Sequence, residues 1–300
     1  MLFQPTGIRV SRANHRVHWD EHLRNSLLIA VVWAVLLWMF ALFIREMGWF
    51  QVWIDQDTSF VVAPERISAP YEIAGYFNAP WGLVLMYPIN LLGNLEIAVL
   101  IQLVIYFVCL TLLIYKLGGN RRMLWLVLLS PFAFDTALET NVDWIVALGL
   151  VVPPILSGPL LAVKPQTAFG YVFSFTWKQL LYAVLIGSVV VLASVIVWGP
   201  WIEDLYFSTQ TDGVGENVNL APMSFLPIWV SLAIGGVLLY FAVARRDVFF
   251  GVTAGLFLTP YIAAYSVLIP FTVMATRWKR ACMLISGTIW LMVGLFIIGS

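Results

Sequence analysis

Five stretches of this chain, Ser26 to Ile44, Ile97 to Tyr115, Leu180 to Trp198, Met223 to Ala244 and Ala281 to Ile298, are nearly all apolar. Each approaches or reaches the roughly 20 residues that a bilayer's hydrocarbon core demands. Of 300 residues 61% are hydrophobic and 11% charged, where a soluble domain carries about 25% charged residues. Water is therefore not the main solvent, and each run is a candidate membrane-spanning helix. The first run is long, lacks a small-residue cleavage site and follows a polar segment, residues 1–25, so it reads as an anchor and not as a cleaved signal peptide. Cys109 and Cys282 both sit inside apolar runs, where a thiol behaves as a small hydrophobe.

The formal net charge is zero, but the charges are unevenly distributed along the chain. Arg9, Arg12, Arg16, Arg24, Lys116, Arg121, Arg122, Lys178, Arg245, Arg246, Arg277, Lys279 and Arg280 can all lie on one side, leaving only Arg45, Arg66 and Lys164. Because basic residues stay in the cytoplasm, this split of thirteen to three puts the N-terminus inside. Twelve of the sixteen acids then fall outside, so the outer face carries three positive and twelve negative charges, a net of minus nine.

With Arg122 and Lys178 both inside, and Arg246 and Arg277 likewise, the chain between them must go out and come back. Met123 to Leu138 can rise and Trp144 to Leu156 can descend. A hairpin from Pro159 to Trp177 follows, with Lys164-Pro165 near its tip. Phe249 to Leu258 and Ile262 to Thr276, broken at Pro260 and Pro270, repeat the pattern. Such short, Pro-interrupted helices persist in a membrane only where protein or a wet cavity satisfies their freed backbone groups. The expected fold is thus all-α and polytopic, with about eleven crossings and the C-terminus outside. A cytoplasmic segment, 1–25, precedes a single transmembrane domain, 26–300, with outer loops at 45–94 and 199–222. Trp81 to Leu92 is too short to span and reads as a helix in the outer interface.

His15, His18 and His22 are the only histidines, and all three fall on the cytoplasmic side. Their i, i+3, i+7 spacing suits a solvated amphipathic face or a metal. A catalytic centre on the outer side would have carboxylates alone as acid or base. The sequence calls for no metal or other cofactor, and nothing in it suggests nucleic-acid binding.

Asp57, Ser68-Ala69-Pro70-Tyr71 and Tyr76-Phe77-Asn78-Ala79-Pro80-Trp81 resemble the first outer loop of GT-C membrane glycosyltransferases. Ser130-Pro131, then Thr140-Asn141-Val142-Asp143, then Val163-Lys164-Pro165-Gln166 resemble the order "SP, GN(I/V)D, KPQ" in bacterial members of that superfamily. The likeness covers residues 26–180. It departs from the pattern at Thr140-Asn141, where Gly commonly precedes Asn or Gln, and at Asn78-Ala79-Pro80, where two prolines are usual. The chain also ends at Ser300 directly after a hydrophobic run, which makes a reduced member of the superfamily one expectation.

The resemblance implies a GT-C-like fold in the plasma membrane of a prokaryote. It further implies inverting transfer of a sugar from a polyprenyl phosphate to an acceptor hydroxyl on the outer face, with an acid of the first outer loop as base. Asp57 is the first candidate, Asp55 the second and Glu72 a distant third, against the alternative that they are ordinary solvated loop acids. Lys164 is a cation at membrane depth, costing roughly 2.5 to 3.5 kcal/mol unless compensated. It binds the donor phosphate, or snorkels, or pairs with Asp135 or Asp143. Arg66 and Arg45 could assist it. Tyr71, Asn78, Asn141, Asp143 and Gln166 are candidate substrate contacts, with helix capping the competing role for Asn141 and Asp143. The rival functions are a transporter or lipid flippase, and a non-catalytic subunit of a membrane assembly.

Overall fold

The computed structural model describes residues 21–48, 52–53, 67–72, 76, 78–205 and 219–299. Helix α1 (Glu21–Met47) and helix α3 (Leu95–Lys116) pack antiparallel along their length. The Ser26 hydroxyl is 2.7 Å from that of Tyr115 at one end, and Trp38 Nε1 donates to Glu96 O (2.9 Å) toward the other. Between them in sequence lies the short α2 (Trp81–Asn90), which carries Pro88 inside it. Its presence matches the short helix expected over Trp81 to Leu92.

Helices α4 (Arg121–Leu128) and α5 (Pro131–Glu139) together make one leg beside α1. Trp33 Nε1 donates to Leu128 O (2.9 Å), and Trp53 Nε1 and N donate to Ala137 O (2.8 Å) and Leu138 O (2.9 Å). The chain then folds back as α6 (Asp143–Val151), reverses as α7 (Pro154–Leu161), and returns through the four-residue α8 (Pro165–Ala168) and a 3-10 turn, Phe169–Ser174. Leu150 O, at the far end of α6, accepts from both Lys116 Nζ (2.9 Å) and Tyr171 Oη (3.2 Å), so the return leg ends where α3 ends.

Helix α9 (Trp177–Trp198) starts on a capping box in which Thr176 and Gln179 satisfy each other's backbone donors. Helices α10 (Ile228–Arg245) and α11 (Val248–Leu258) form an antiparallel pair. A 3-10 turn, Ala264–Val267, leads into α12 (Leu268–Ala275), and α13 (Lys279–Gly299) closes the chain. Four of these helices, α1, α3, α9 and α10, are long and apolar enough to cross a membrane. Of these four only α3 is mostly buried, and it packs chiefly between α1 and α6.

The chain breaks before Pro260, where α11 ends at Leu258, as the sequence suggests, but two other prolines act differently. Helix α6 stops at Val151 because Pro153-Pro154 follows, so the reversal comes there and Pro159 lies inside α7. Pro270 likewise does not break its leg. It is the third residue of α12, within the first turn, where the backbone N–H that proline lacks has no helical partner in any case. The break falls earlier, in the 3-10 turn.

The 3-10 turn Phe169–Ser174 presses its backbone against α11. A Cβ placed on Gly170 would collide with the Gly251 carbonyl, and one on Gly251 with the Gly170 carbonyl. Glycine alone permits this approach. Gly170→Ala or Gly251→Ala is expected to destabilise the fold by about 1–3 kcal/mol, read from unfolding in mixed micelles. Gly236→Ala, where an added Cβ meets nothing within 4 Å, should leave stability unchanged or slightly raised.

Candidate functional site

Three of the segments that carry the resemblance, those around Asn78, Asp143 and Lys164, meet in one place. Ser130 caps α5, accepting from Ala133 N (3.3 Å) while donating to Val127 O (2.7 Å), so the break between α4 and α5 leaves its polar groups satisfied. After Glu139, Thr140 adopts φ 34°, which is uncommon for a β-branched residue. Its hydroxyl lies 3.2 Å from the carbonyls of both Thr136 and Ala137. This reversal delivers Asp143 to the first position of α6.

Asp143 and Lys164 form an ion pair, Nζ to Oδ2 2.8 Å, with 2% and 5% of each residue exposed. The carboxylate accepts two further hydrogen bonds, from Thr167 Oγ1 on α8 (3.1 Å) and from Ser266 Oγ in the 3-10 turn before α12 (3.2 Å). The ammonium also lies 4.4 Å from the Tyr265 ring centroid, within cation–π range. Asn141 Nδ2 donates to Tyr265 Oη (3.0 Å). Three separated pieces of chain, around residues 141–143, 164–167 and 265–266, thus converge at one carboxylate.

Of the partners weighed for Lys164, the structure selects Asp143. Asp135 is half-buried on α5, and its Oδ2 has no protein hydrogen-bond partner among the described residues. The capping role expected of Asp143 is not what the structure shows. The cap position of α6 is Val142, with no side-chain cap bond, while Asn141 Oδ1 accepts from Val142 N (2.6 Å). A lost cap costs about 1 kcal/mol, whereas an uncompensated buried ammonium costs about 3–5 kcal/mol, so the carboxylate turns to Lys164.

The loop leading into α2 is pinned to the turn that carries Lys164. Ala79 N donates to Val163 O (3.2 Å), and Trp81 Nε1 to Pro159 O (2.9 Å). Tyr71 Oη donates to the Asn78 carbonyl (3.0 Å) and Tyr76 Oη to the Ala79 carbonyl (2.8 Å). The Tyr71 ring stacks on Trp201, centroids 6.4 Å apart, and Trp201 stands edge-on to Trp81 at 5.6 Å. Burial, reinforced by the nearby Asp204 charge, pushes the Tyr71 phenol well above its usual range, so it stays a neutral donor.

Asn78 therefore contributes to this loop through its backbone carbonyl, and Gln166 is half-buried on α8. Arg45 lies over the Trp53 ring at 5.3 Å. Asp55, Asp57 and Arg66, with His15 and His18, lie outside the described residues. Among the described residues no three His, Cys, Asp or Glu side chains are grouped to hold a metal. Thr167, Tyr265 and Ser266 were not singled out from the sequence. Thr167 is legible in hindsight, one helical turn beyond Lys164, but nothing in the sequence ties residues 265 and 266 to the pair. Compared with known proteins, the chain matches no family model, no curated protein and no solved structure.

Breaking the pair from one side leaves a buried charge unpaired. Asp143→Asn or Lys164→Met alone should destabilise the protein by about 3–5 kcal/mol, while the double variant should recover most of that loss. Unfolding in mixed micelles measures all four corners of the cycle. Additive losses would mean that the two groups do not interact.

Proposed function

We propose that the chain is an integral membrane glycosyltransferase of the GT-C kind. It moves a sugar from a polyprenyl phosphate to an acceptor hydroxyl on the non-cytoplasmic face. The supporting observation is the convergence just described. The loop around Asn78 is bonded to the Lys164 turn, and the Lys164 turn is bonded to Asp143, although these pieces lie more than twenty residues apart in sequence. On this reading the short helical legs combine into about eleven crossings. The N-terminus and the basic loops are cytoplasmic.

The chemistry asks little of the protein. A sugar-linked phosphate is already a fair leaving group, so one carboxylate can serve where glycoside hydrolysis uses two. Asp57, or failing it Asp55, takes the proton from the acceptor hydroxyl as that oxygen bonds to the anomeric carbon. The bond from that carbon to the phosphate oxygen breaks with inversion, and its electron pair leaves with the lipid phosphate. Trp53, held by Ala137 and Leu138, is four residues before Asp57. A chain of that length reaches at most about 14 Å.

Lys164 has three donors, of which Asp143 engages one; in this proposal the others meet the donor phosphate, with Arg66 assisting. Tyr71, Asn78, Asn141, Asp143 and Gln166 shape the surrounding site. The buried ion pair also favours one second reading, a transporter, since ionisable groups at membrane depth commonly mark a translocation path. Solute uptake lost in the double variant Asp143→Asn/Lys164→Met, with sugar transfer undetectable in every variant, would support that reading instead.

The direct test uses purified protein in liposomes with radiolabelled polyprenyl-phosphate sugars and a membrane extract as acceptor. Asp57→Asn should slow transfer by about 10²- to 10⁴-fold with no loss of folded protein, and Asp55→Asn much less. Full activity in both variants would remove Asp57 and Asp55 as the base. Thiol labelling from outside should reach a cysteine introduced at position 57 and miss one at position 121. The opposite pattern would invert the topology.

A further inference from the structure

A second polar feature lies beside the ion pair and shares only Asn141 with the site proposed above. Between α3, α5 and α6 is a small cavity lined by Gln102, Tyr106, Thr136, Thr140, Asn141 and Trp144. Tyr106 is 2% exposed and Trp144 6%, yet Tyr106 Oη and Trp144 Nε1 have no protein hydrogen-bond partner among the described residues. Two such groups lining one cavity, Tyr106 from α3 and Trp144 from α6, should each cost about 1–3 kcal/mol if left without a partner. Indole N–H can only donate, so whatever satisfies Trp144 must present an acceptor.

We infer that this cavity is a binding site for a single internal water molecule. The space open to the centre of a water molecule is about 10 Å³, which suits a molecule the size of water and is too little for a sugar or a lipid headgroup. One oxygen there accepts from Trp144 Nε1 and hydrogen-bonds Tyr106 Oη, and its hydrogens face the side-chain oxygens of Thr140 and Gln102. That gives the two to four partners that buried waters ordinarily have.

The site bears on the ion pair. Asn141 lines the cavity and donates to Tyr265, whose ring contacts Lys164, while Thr136 lines it and donates to the Tyr265 carbonyl (3.1 Å). The bound water therefore braces α3 against the strained Thr140 turn, which sets the position of Asp143.

Pulsed X-ray radiolysis tests this, because water held against a buried side chain generates hydroxyl radicals in place. In detergent-solubilised full-length protein, Tyr106 and Trp144 should be oxidised several-fold faster than Trp53 and Tyr76. These controls are 0% and 1% exposed, and their donors are satisfied by Ala137 and Ala79. Leu103→Phe, which adds bulk to the cavity wall, should reduce oxidation of Tyr106 and Trp144 to the level of the controls, and the controls themselves should stay protected. Wild-type labelling of both residues no faster than the controls would overturn the inference. So would labelling that Leu103→Phe leaves unchanged while the controls remain protected.

Discussion

A lysine ammonium and an aspartate carboxylate taken out of water together are costly. That cost is offset only when the geometry is good and every remaining lone pair and proton has a partner. The Asp143–Lys164 pair meets this condition through Thr167, Ser266 and the face of Tyr265. Thr167 comes from α8, and Tyr265 and Ser266 from the turn before α12, so satisfying one charge pair fixes α6, α8 and that turn relative to one another. Apolar packing holds them together without direction, whereas the pair specifies a single arrangement. The short helices around it could slide along one another in hydrocarbon with little change in contact area, but no such slide keeps three hydrogen bonds on one carboxylate.

A protein of this kind carries its sequence information unevenly. Length and apolarity made α1, α3, α9 and α10 legible, with ends displaced by a few residues where flanking polar residues extend the helix, as Glu21 to Asn25 do for α1. Around the short elements proline was an uneven guide: α11 ends at Leu258, just before Pro260, as expected, but other prolines misled. Pro270 and Pro159 were read as breaks, yet helices tolerate Pro270 in a first turn and enclose Pro159, whereas adjacent Pro153 and Pro154 turn the chain. A single proline marks a lost hydrogen bond, and its neighbours decide whether the helix survives.

Within the site, the likeness to GT-C enzymes pointed to Asp143 and Lys164 separately, and their pairing was one alternative among several. Charge and depth made a partner necessary, but they did not choose between Asp135 and Asp143. The choice comes from the Thr140 reversal, a backbone conformation that no residue pattern announces. Thr167, Tyr265 and Ser266 were invisible for a related reason. Hydroxyl groups are common in membrane helices, and only their meeting at one carboxylate distinguishes these three.

Helix α9 is the converse case. Of its 22 residues only Ala183 and Ser194 are buried, and the Ala183 carbonyl packs against Gly158 of α7. Leu180, Val190, Val191 and Trp198 lie partly against the core, and much of the remaining surface faces outward, Ile196 being 85% exposed. Lipid can solvate nearly any apolar residue equally well, so most positions along α9 are interchangeable within the apolar alphabet. Its amino-acid order therefore records little except thickness and oiliness. The memory of what this protein is for resides instead in the few polar side chains that the surrounding helices keep away from the bilayer.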